Sequence, residues 1–466
     1  MLSAVGTVPT LPSGRLVDDL RCGQFGWPPD DPDFPGYYPK VDATCLTLDY
    51  VTPATSPVPG TLATGSYADN ERYIIKVPAA WNGSLIVAGT PAMRSEYANE
   101  QIWGDFALAN GYAFASSNKG ILYNAFLEPL SSSPNPNRAY PIPFDYEGWE
   151  SDKMTFRIGF LNQPGNIADW NADYVTLVRA TQGFLEEFFG KPPERTYAVG
   201  TSNGGAQVRW LIENHASLVD GGVDWEGVYW SRSHNMLDFM PKFLAAMPAY
   251  VASGFKDKAA AAAIVAAGYP PDVPGNSGYP SLWFEYYAKQ PSFYVDLSLF
   301  AYALLLDPKA TSSLSAGGCT PNPANPQGLP GICDGTGLAV PANRASYVPS
   351  HETHAVIDRF EHTGNIGKPL ISIAGSADML IVPHYNAKPY LEAVLRKGHR
   401  RHYWQYLIEG GTHVDTFADA SWGYGLRPQL PFAWAAFNQL VAVVEHGFVP
   451  PNAGQQQLVS HPSQIL

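Results

Sequence analysis

A serine between two glycines is the residue of this chain best suited to chemistry. The stretch from Tyr197 to Gly205 reads YAVGTSNGG, in which an apolar strand runs into a tight turn and then into a helix. A serine on such a turn presents its hydroxyl outward, and the glycines let the strand and helix backbones approach without a Cβ clash. The pattern predicts Ser202 as a nucleophile. It also predicts that the backbone N–H of Asn203, at a helix N-terminus, stabilises an oxyanion.

Two later segments supply the base and the acid that a serine nucleophile needs. Asp378 lies in the turn after an apolar strand, and His413 follows the next strand, 35 residues further on. The histidine would take the serine proton, while the aspartate would fix the histidine tautomer and stabilise the imidazolium. Asp358 and Asp415 are the alternative acids, and ten other histidines compete for the role of base.

Strands and helices that alternate along the chain must bring these residues together. Strands are predicted over 71–78, 84–88, 112–117, 195–199, 220–230, 369–374 and 403–408. Helices are predicted over 171–189, 206–214 and 431–446. Continuous apolar strands in this order indicate an α/β fold, with a mostly parallel sheet covered by helices on both faces.

The chain divides into four predicted parts. Residues 1–68 read as a loop-rich N-terminal segment, and 69–230 as the first part of an α/β core. Residues 231–355 have helical, aromatic-rich and Pro/Gly-rich pieces but lack apolar strand runs, so we expect a large inserted cap or lid. The core resumes over 356–466.

The elbow at Ser202, the turn at Asp378 and the Gly-Gly-Thr-His413 loop together resemble a secreted esterase of the α/β-hydrolase superfamily. The chain order Ser, Asp, His is that of the α/β-hydrolases. The Gly-Thr-Ser-Asn-Gly-Gly sequence is similar to that of tannase, feruloyl esterase and polyhydroxyalkanoate-depolymerase relatives. The similarity covers about residues 70–230 and 365–446, and it implies the α/β-hydrolase fold.

This resemblance and the three residues predict a serine hydrolase that cleaves carboxylic esters through an acyl-enzyme. The reaction needs no cofactor and no metal. The aromatic-rich insertion favours an apolar, aromatic or polyester-type ester, either a small molecule or an oligomer. The alternatives are a serine peptidase or amidase on the same fold, and a catalytically inactive binding protein.

The second oxyanion donor is expected in Gly89-Thr90-Pro91-Ala92, where many relatives carry His-Gly. Because Pro91 has no N–H, Thr90 and Ala92 are the candidates.

Further candidates lie outside the three catalytic residues. Trp225 and Glu226 lie near the active-site end of a core strand and His234 follows that strand, so all three are candidates for substrate binding. His351 and His354 are spaced i, i+3 instead of the i, i+4 of a zinc-binding helix, so no metal site is predicted there.

Composition excludes several partners. The formal charge is −13 and basic residues do not cluster, which disfavours nucleic acid and anionic membrane surfaces. The sequence contains no run of eighteen apolar residues, so no membrane span is expected.

The four cysteines indicate an oxidising compartment. Pairing of Cys22 with Cys45 and of Cys319 with Cys333 would staple two loops, and it is one of three possible connectivities. We therefore expect a secreted or periplasmic protein whose sequence here begins at or near the mature start, since no signal-peptide pattern opens it.

Overall fold

One ten-stranded sheet forms the centre of the computed structural model. The structure describes residues 9–11, 14–25, 56–68, 71–92, 94–120, 128–129, 154–155, 167–275, 281–287, 294–310, 345–415, 417–418 and 423–465. The strands are β1 (Arg15–Val17), β2 (Gly60–Ala68), β3 (Glu71–Pro78), β4 (Ser84–Gly89), β5 (Ala113–Ser117), β6 (Glu128–Pro129), β7 (Met154–Thr155), β8 (Arg195–Thr201), β9 (Gly221–Trp225), β10 (Leu370–Gly375), β11 (Tyr403–Ile408) and β12 (Gln456–Val459). The helices are α1 (Asp105–Ala109), α2 (Ile167–Phe189), α3 (Asn203–Asn214), α4 (Met236–Ala252), α5 (Lys258–Ala266), α6 (Leu282–Tyr287), α7 (Tyr294–Leu306), α8 (His351–Ile357), α9 (Ala387–Arg396) and α10 (Leu430–His446).

The sheet order brings three loops to one edge. The order is β1-β2-β3-β5-β4-β8-β9-β10-β11-β12, while β6 and β7 form a separate pair. The pairs β1–β2, β2–β3 and β3–β5 are antiparallel, and the other neighbours in the large sheet are parallel. Because parallel strands end at the same edge, the loops after β8, β10 and β11 meet there.

Both faces of the sheet are covered. Alternate residues of β4 point to opposite sides, so Leu85 and Val87 join one apolar cluster and Ile86 and Ala88 another. The first cluster includes residues of α2 and α3, and the second includes residues of α10. Burial on both faces explains the continuous apolar strands and confirms the predicted mostly parallel sheet with helices on both faces.

The N-terminal part differs from the prediction of a loop-rich segment over 1–68. Residues 60–68 form β2, which pairs with β3 along its length and belongs to the sheet. The sequence pattern missed this strand because its small residues, Gly60-Thr-Leu-Ala-Thr-Gly-Ser, carry little apolar alternation. A boundary at residue 68 would therefore divide a pair of hydrogen-bonded strands.

The described part of 231–355 is helical. Asn235 begins α4 by accepting a hydrogen bond from the Leu237 N–H at 3.1 Å, and Asp257 begins α5 in the same manner. Apolar residues of α4, α6 and α7 belong to the same cluster as those of α2 and α3. These helices therefore pack onto the sheet through a shared core, and the exact bounds of a cap remain a prediction.

The cysteines fall mostly outside the described residues. Cys22 is buried and disulfide-bonded, whereas Cys45, Cys319 and Cys333 all lie outside the described ranges. The predicted pairing of Cys22 with Cys45 therefore remains a prediction. Within the described ranges, none of the helices is long and apolar enough to cross a membrane.

Candidate active site

Ser202 lies at the apex of a strained turn between β8 and α3. Its φ of 58° is in the left-handed region, which a residue other than glycine adopts only when the surrounding structure holds it there. A Cβ on Gly200 would lie 2.2 Å from the Gly204 carbonyl oxygen, and one on Gly204 would lie 2.0 Å from that of Gly89. Both glycines of the motif are therefore required by close backbone contacts.

The structure brings Ser202, His413 and Asp378 into one hydrogen-bonded line. His413 Nε2 lies 3.2 Å from Ser202 Oγ, and His413 Nδ1 lies 2.9 Å from Asp378 Oδ2. All three side chains are buried, with exposures of 6% or less. In this geometry the histidine can accept the serine proton while the carboxylate orients the ring.

The turn that carries Asp378 is held by backbone hydrogen bonds. Asp378 Oδ1 accepts from the N–H groups of Leu380 and Ile381 at 2.7 and 2.9 Å. The Ala377 N–H donates to the Gly411 carbonyl at 2.7 Å, which ties the acid turn to the histidine loop. Both loops follow neighbouring parallel strands, β10 and β11. The sheet therefore places the acid and the base next to each other.

The two alternative acids have other partners. Asp358 forms an exposed ion pair with Arg232 at 2.8 Å. Asp415 accepts from the backbone N–H groups of Gln429 and Leu430, at the beginning of α10. Neither carboxylate is hydrogen-bonded to His413, which has Asp378 as its partner.

The loop after β4 carries the candidates for the second oxyanion donor. Thr90 is 1% exposed, and Ala92 is partly exposed with a φ of 43°. Lys119 Nζ donates to the carbonyl oxygens of Thr90 at 2.7 Å and of Ala92, and it lies 3.5 Å from that of Pro91. In the trans peptide that joins Pro91 to Ala92, the C=O and the N–H point in opposite directions. Because the Pro91 C=O is the group near Lys119, the Ala92 N–H faces away from Lys119.

Asn99 supports the same loop from a second side. Its amide nitrogen Nδ2 lies 3.3 Å from the Gly89 carbonyl oxygen and 3.4 Å from Thr90 Oγ1. Lys119 is itself 2% exposed and lies over the Trp170 ring at 5.0 Å. Neither residue carries a motif, so their contacts with this loop were not visible in the sequence.

The three residues expected to bind substrate lie in different surroundings. Trp225 is 1% exposed and packs in the second apolar cluster with residues of α10, so it is a core residue and not a substrate platform. Glu226 is also 1% exposed, and its carboxyl lies beside Asp378 behind the triad. His234 contacts the Tyr229 ring and the Ser233 hydroxyl in a turn before α4.

Two tyrosines of α6 and α7 contact the loops that carry Ser202 and His413. Tyr302 on α7 exchanges hydrogen bonds with the side-chain amide of Asn203, at 2.6 and 2.9 Å. Tyr286 on α6 lies 2.8 Å, hydroxyl to hydroxyl, from Thr412, next to His413. Helices α6 and α7 are thus joined directly to the elbow and to the histidine loop, a connection that only the tertiary structure reveals.

Within the described part of the chain, one group has the composition of a metal site. It consists of Glu226, Asp378 and His413, whose ligand-type atoms lie within 4.8 Å of one another. His413 Nδ1 and Asp378 Oδ2 are already engaged in the hydrogen bond of the triad. The arrangement is therefore better described as an extended acid–base cluster.

The sheet order, with a serine elbow after β8, an acid after β10 and a histidine after β11, defines the α/β-hydrolase fold. No family model and no curated protein matches the sequence.

The chain is similar to several solved structures. Feruloyl esterase B from Aspergillus oryzae shares 12% identity over 96% of this chain and 89% of that chain, with a TM-score of 0.49. Tannin acyl hydrolase from Aspergillus niger shares 12% over 87% and 81%, with a TM-score of 0.42. An acylaminoacyl peptidase from Pyrococcus horikoshii shares 9% over 85% and 42%, with a TM-score of 0.39.

Proposed function

We propose that this chain is a serine hydrolase that cleaves carboxylic esters through an acyl-enzyme. The observation that carries the proposal is the buried line from Ser202 Oγ through His413 to Asp378, with contacts of 3.2 and 2.9 Å. Hydroxyl, imidazole and carboxylate in this order activate a serine in acyl transfer.

The first half-reaction forms the acyl-enzyme. Ser202 Oγ attacks the ester carbonyl carbon as its proton passes to His413 Nε2, and the carbonyl oxygen becomes an oxyanion. The Asn203 N–H and an N–H of Thr90 or Ala92 stabilise that charge. Collapse of the intermediate breaks the ester C–O bond, and the proton on Nε2 goes to the departing alcohol.

The second half-reaction releases the acid. Water loses a proton to His413 Nε2 and attacks the acyl carbon, and the same N–H groups hold the new oxyanion. The bond to Ser202 Oγ then breaks and Oγ recovers the proton from Nε2. Asp378 holds the His413 ring through Nδ1 and stabilises the imidazolium in both halves.

The inserted helices support an apolar, aromatic or polyester-type ester as the substrate. Tyr302 and Tyr286 bring aromatic rings of α7 and α6 against the elbow and the histidine loop. Aromatic side chains with few polar groups are typical of pockets that bind apolar ligands. The disulfide at Cys22 supports an extracellular or periplasmic location.

The proposal is tested with p-nitrophenyl esters of increasing acyl length and with aromatic esters, alongside aminoacyl p-nitroanilides. We expect ester hydrolysis that falls by at least about 10³-fold in Ser202→Ala. Ser84→Ala is the matched control, because Ser84 is also buried but begins β4 at the opposite edge of the sheet. Ester hydrolysis that survives in Ser202→Ala, or activity toward anilides alone, would overturn the proposal.

A further inference from the structure

A second carboxyl group lies behind the triad, in a place where the catalytic steps do not use it. Glu226 directly follows β9, the strand between the elbow strand β8 and the acid strand β10. Its backbone N–H donates to the Ile373 carbonyl on β10 at 2.9 Å, and its φ is 51°. A residue other than glycine keeps this backbone conformation only when its surroundings hold it, so the position of the Glu226 side chain is fixed by its backbone.

The Glu226 carboxyl is fully surrounded by protein. It is 1% exposed, and its Oε1 accepts a hydrogen bond from the Gly375 N–H. The Asp378 side chain lies within hydrogen-bonding reach of it. One ligand-type atom from each of Glu226, Asp378 and His413 lies within 4.8 Å of the other two.

Buried oxygen atoms of Glu226 and Gln429 lie together at this site. Glu226 Oε2 and Gln429 Oε1 are both buried without a donor in the described part of the chain. The Gln429 amide nitrogen donates to the Thr412 carbonyl, and the Gln429 side chain is also hydrogen-bonded to Glu226. A buried carboxyl beside a second carboxyl group favours the protonated form, and a proton on Glu226 supplies a donor at this site.

Burial and the neighbouring Asp378 carboxyl favour a proton on Glu226. Burial, with the negative charge of Asp378 next to it, raises the pKa of Glu226 well above its usual range. Asp378 accepts two backbone N–H groups and faces His413. Asp378 and His413 are the titratable groups that face Glu226, and Asp415 lies further along, at the beginning of α10.

We propose that Glu226 is a positioning residue of the triad: it carries a proton that it donates to Asp378, and it ionises to support His413 when Asp378 is replaced. In Asp378→Asn the neighbouring negative charge is gone, so nothing opposes ionisation of Glu226 except burial. Its carboxylate then lies close enough to His413 to stabilise the imidazolium. This inference rests on the proposed function, because it assigns a role in the same triad.

The test is a double-mutant cycle between Glu226→Gln and Asp378→Asn, measured as kcat and KM on a p-nitrophenyl ester. Gln keeps an acceptor for Gly375 and a donor for Asp378, so Glu226→Gln lowers kcat only modestly when Asp378 is present. In the Asp378→Asn background the same change is expected to lower kcat at least about tenfold more, with KM little altered. Asp378→Asn alone should therefore lose less than the about 10⁴-fold expected of a triad with no second acid.

The matched control is Glu213→Gln in the same two backgrounds. Glu213 also accepts backbone N–H groups, from Thr363 and Gly364, but it lies at the far end of α3. The Glu213→Gln substitution should change kcat by the same factor in the wild-type background and in the Asp378→Asn background. If Glu226→Gln also lowers kcat by the same factor in both backgrounds, the role of Glu226 is wrong. Ester hydrolysis that survives in Ser202→Ala would overturn the proposed function instead.

A second measurement keeps the proposal testable if the double variant does not fold. The infrared difference spectrum between wild type and Glu226→Gln should contain the carbonyl band of a protonated carboxylic acid. If only carboxylate bands differ, Glu226 is ionised and the proposal is wrong.

Discussion

Replacement of Lys119 by methionine tests how the oxyanion loop is held. The Lys119 ammonium is buried and donates to the carbonyl oxygens of Thr90, at 2.7 Å, and of Ala92. Methionine keeps the length and the apolar stem of the side chain but cannot donate. Each hydrogen bond to a charged group contributes about 1.5–3 kcal/mol, so the loop loses two strong contacts.

The expected result is a fall in kcat of about 10- to 100-fold with little change in KM. The upper limit is the loss of one oxyanion donor, about 10²- to 10³-fold in kcat. The Asn203 N–H keeps its place at the beginning of α3, so part of the stabilisation remains. Because the oxyanion forms only in the transition state, substrate affinity depends little on the loop.

The assay is steady-state hydrolysis of p-nitrophenyl butyrate, with thermal unfolding to verify the fold. Lys191→Met is the control, since the Lys191 ammonium is 53% exposed and pairs with Glu194 at 3.2 Å on the surface. We expect Lys191→Met to match wild type. A folded Lys119→Met enzyme with kcat within about threefold of wild type, less than about 1 kcal/mol of barrier, would refute the role of Lys119.

Three further predictions follow from buried and exposed polar groups. Tyr302→Phe removes the hydroxyl that holds the Asn203 amide and should lower kcat about 3- to 10-fold, measured with the same ester. Burial raises the pKa of Asp173 to about 6, so the folded state holds this proton more tightly than the unfolded state. Stability should then fall, by up to about 3 kcal/mol, as the pH rises from about 4 to about 6, and urea unfolding of Asp173→Asn should lack this loss. Arg232→Ala breaks an ion pair whose side chains are 57% and 42% exposed, and it should change the unfolding free energy by less than about 1 kcal/mol.

The residues that could be predicted from the sequence are those that follow strand ends. Ser202, Asp378 and His413 come after β8, β10 and β11, whose apolar runs are continuous because both faces of the sheet are covered. Parallel strands end at one edge, so three strand ends imply three residues in one place. The predicted strands 71–78 and 403–408 agree with β3 and β11 residue for residue.

The remaining parts of the site depend on tertiary contacts that no local pattern encodes. Trp225 and Glu226 are adjacent, yet one packs under α10 and the other lies beside Asp378, and sequence alone does not fix which way each side chain points. Lys119 reaches carbonyl groups 27 to 29 residues away. Tyr302 contacts Asn203 across 99 residues of sequence. Such contacts follow from how the inserted helices and loops pack, and not from residue spacing.

The central claim, that Ser202 carries the acyl group, is tested most directly by trapping the intermediate. Rapid mixing with a p-nitrophenyl ester should give a burst of p-nitrophenol equal to the enzyme concentration. Mass spectrometry of the quenched protein should then locate the acyl mass on the peptide that contains Ser202, and Ser202→Ala should show neither burst nor adduct. An acyl group on any other residue, or steady ester hydrolysis by Ser202→Ala, would contradict the account.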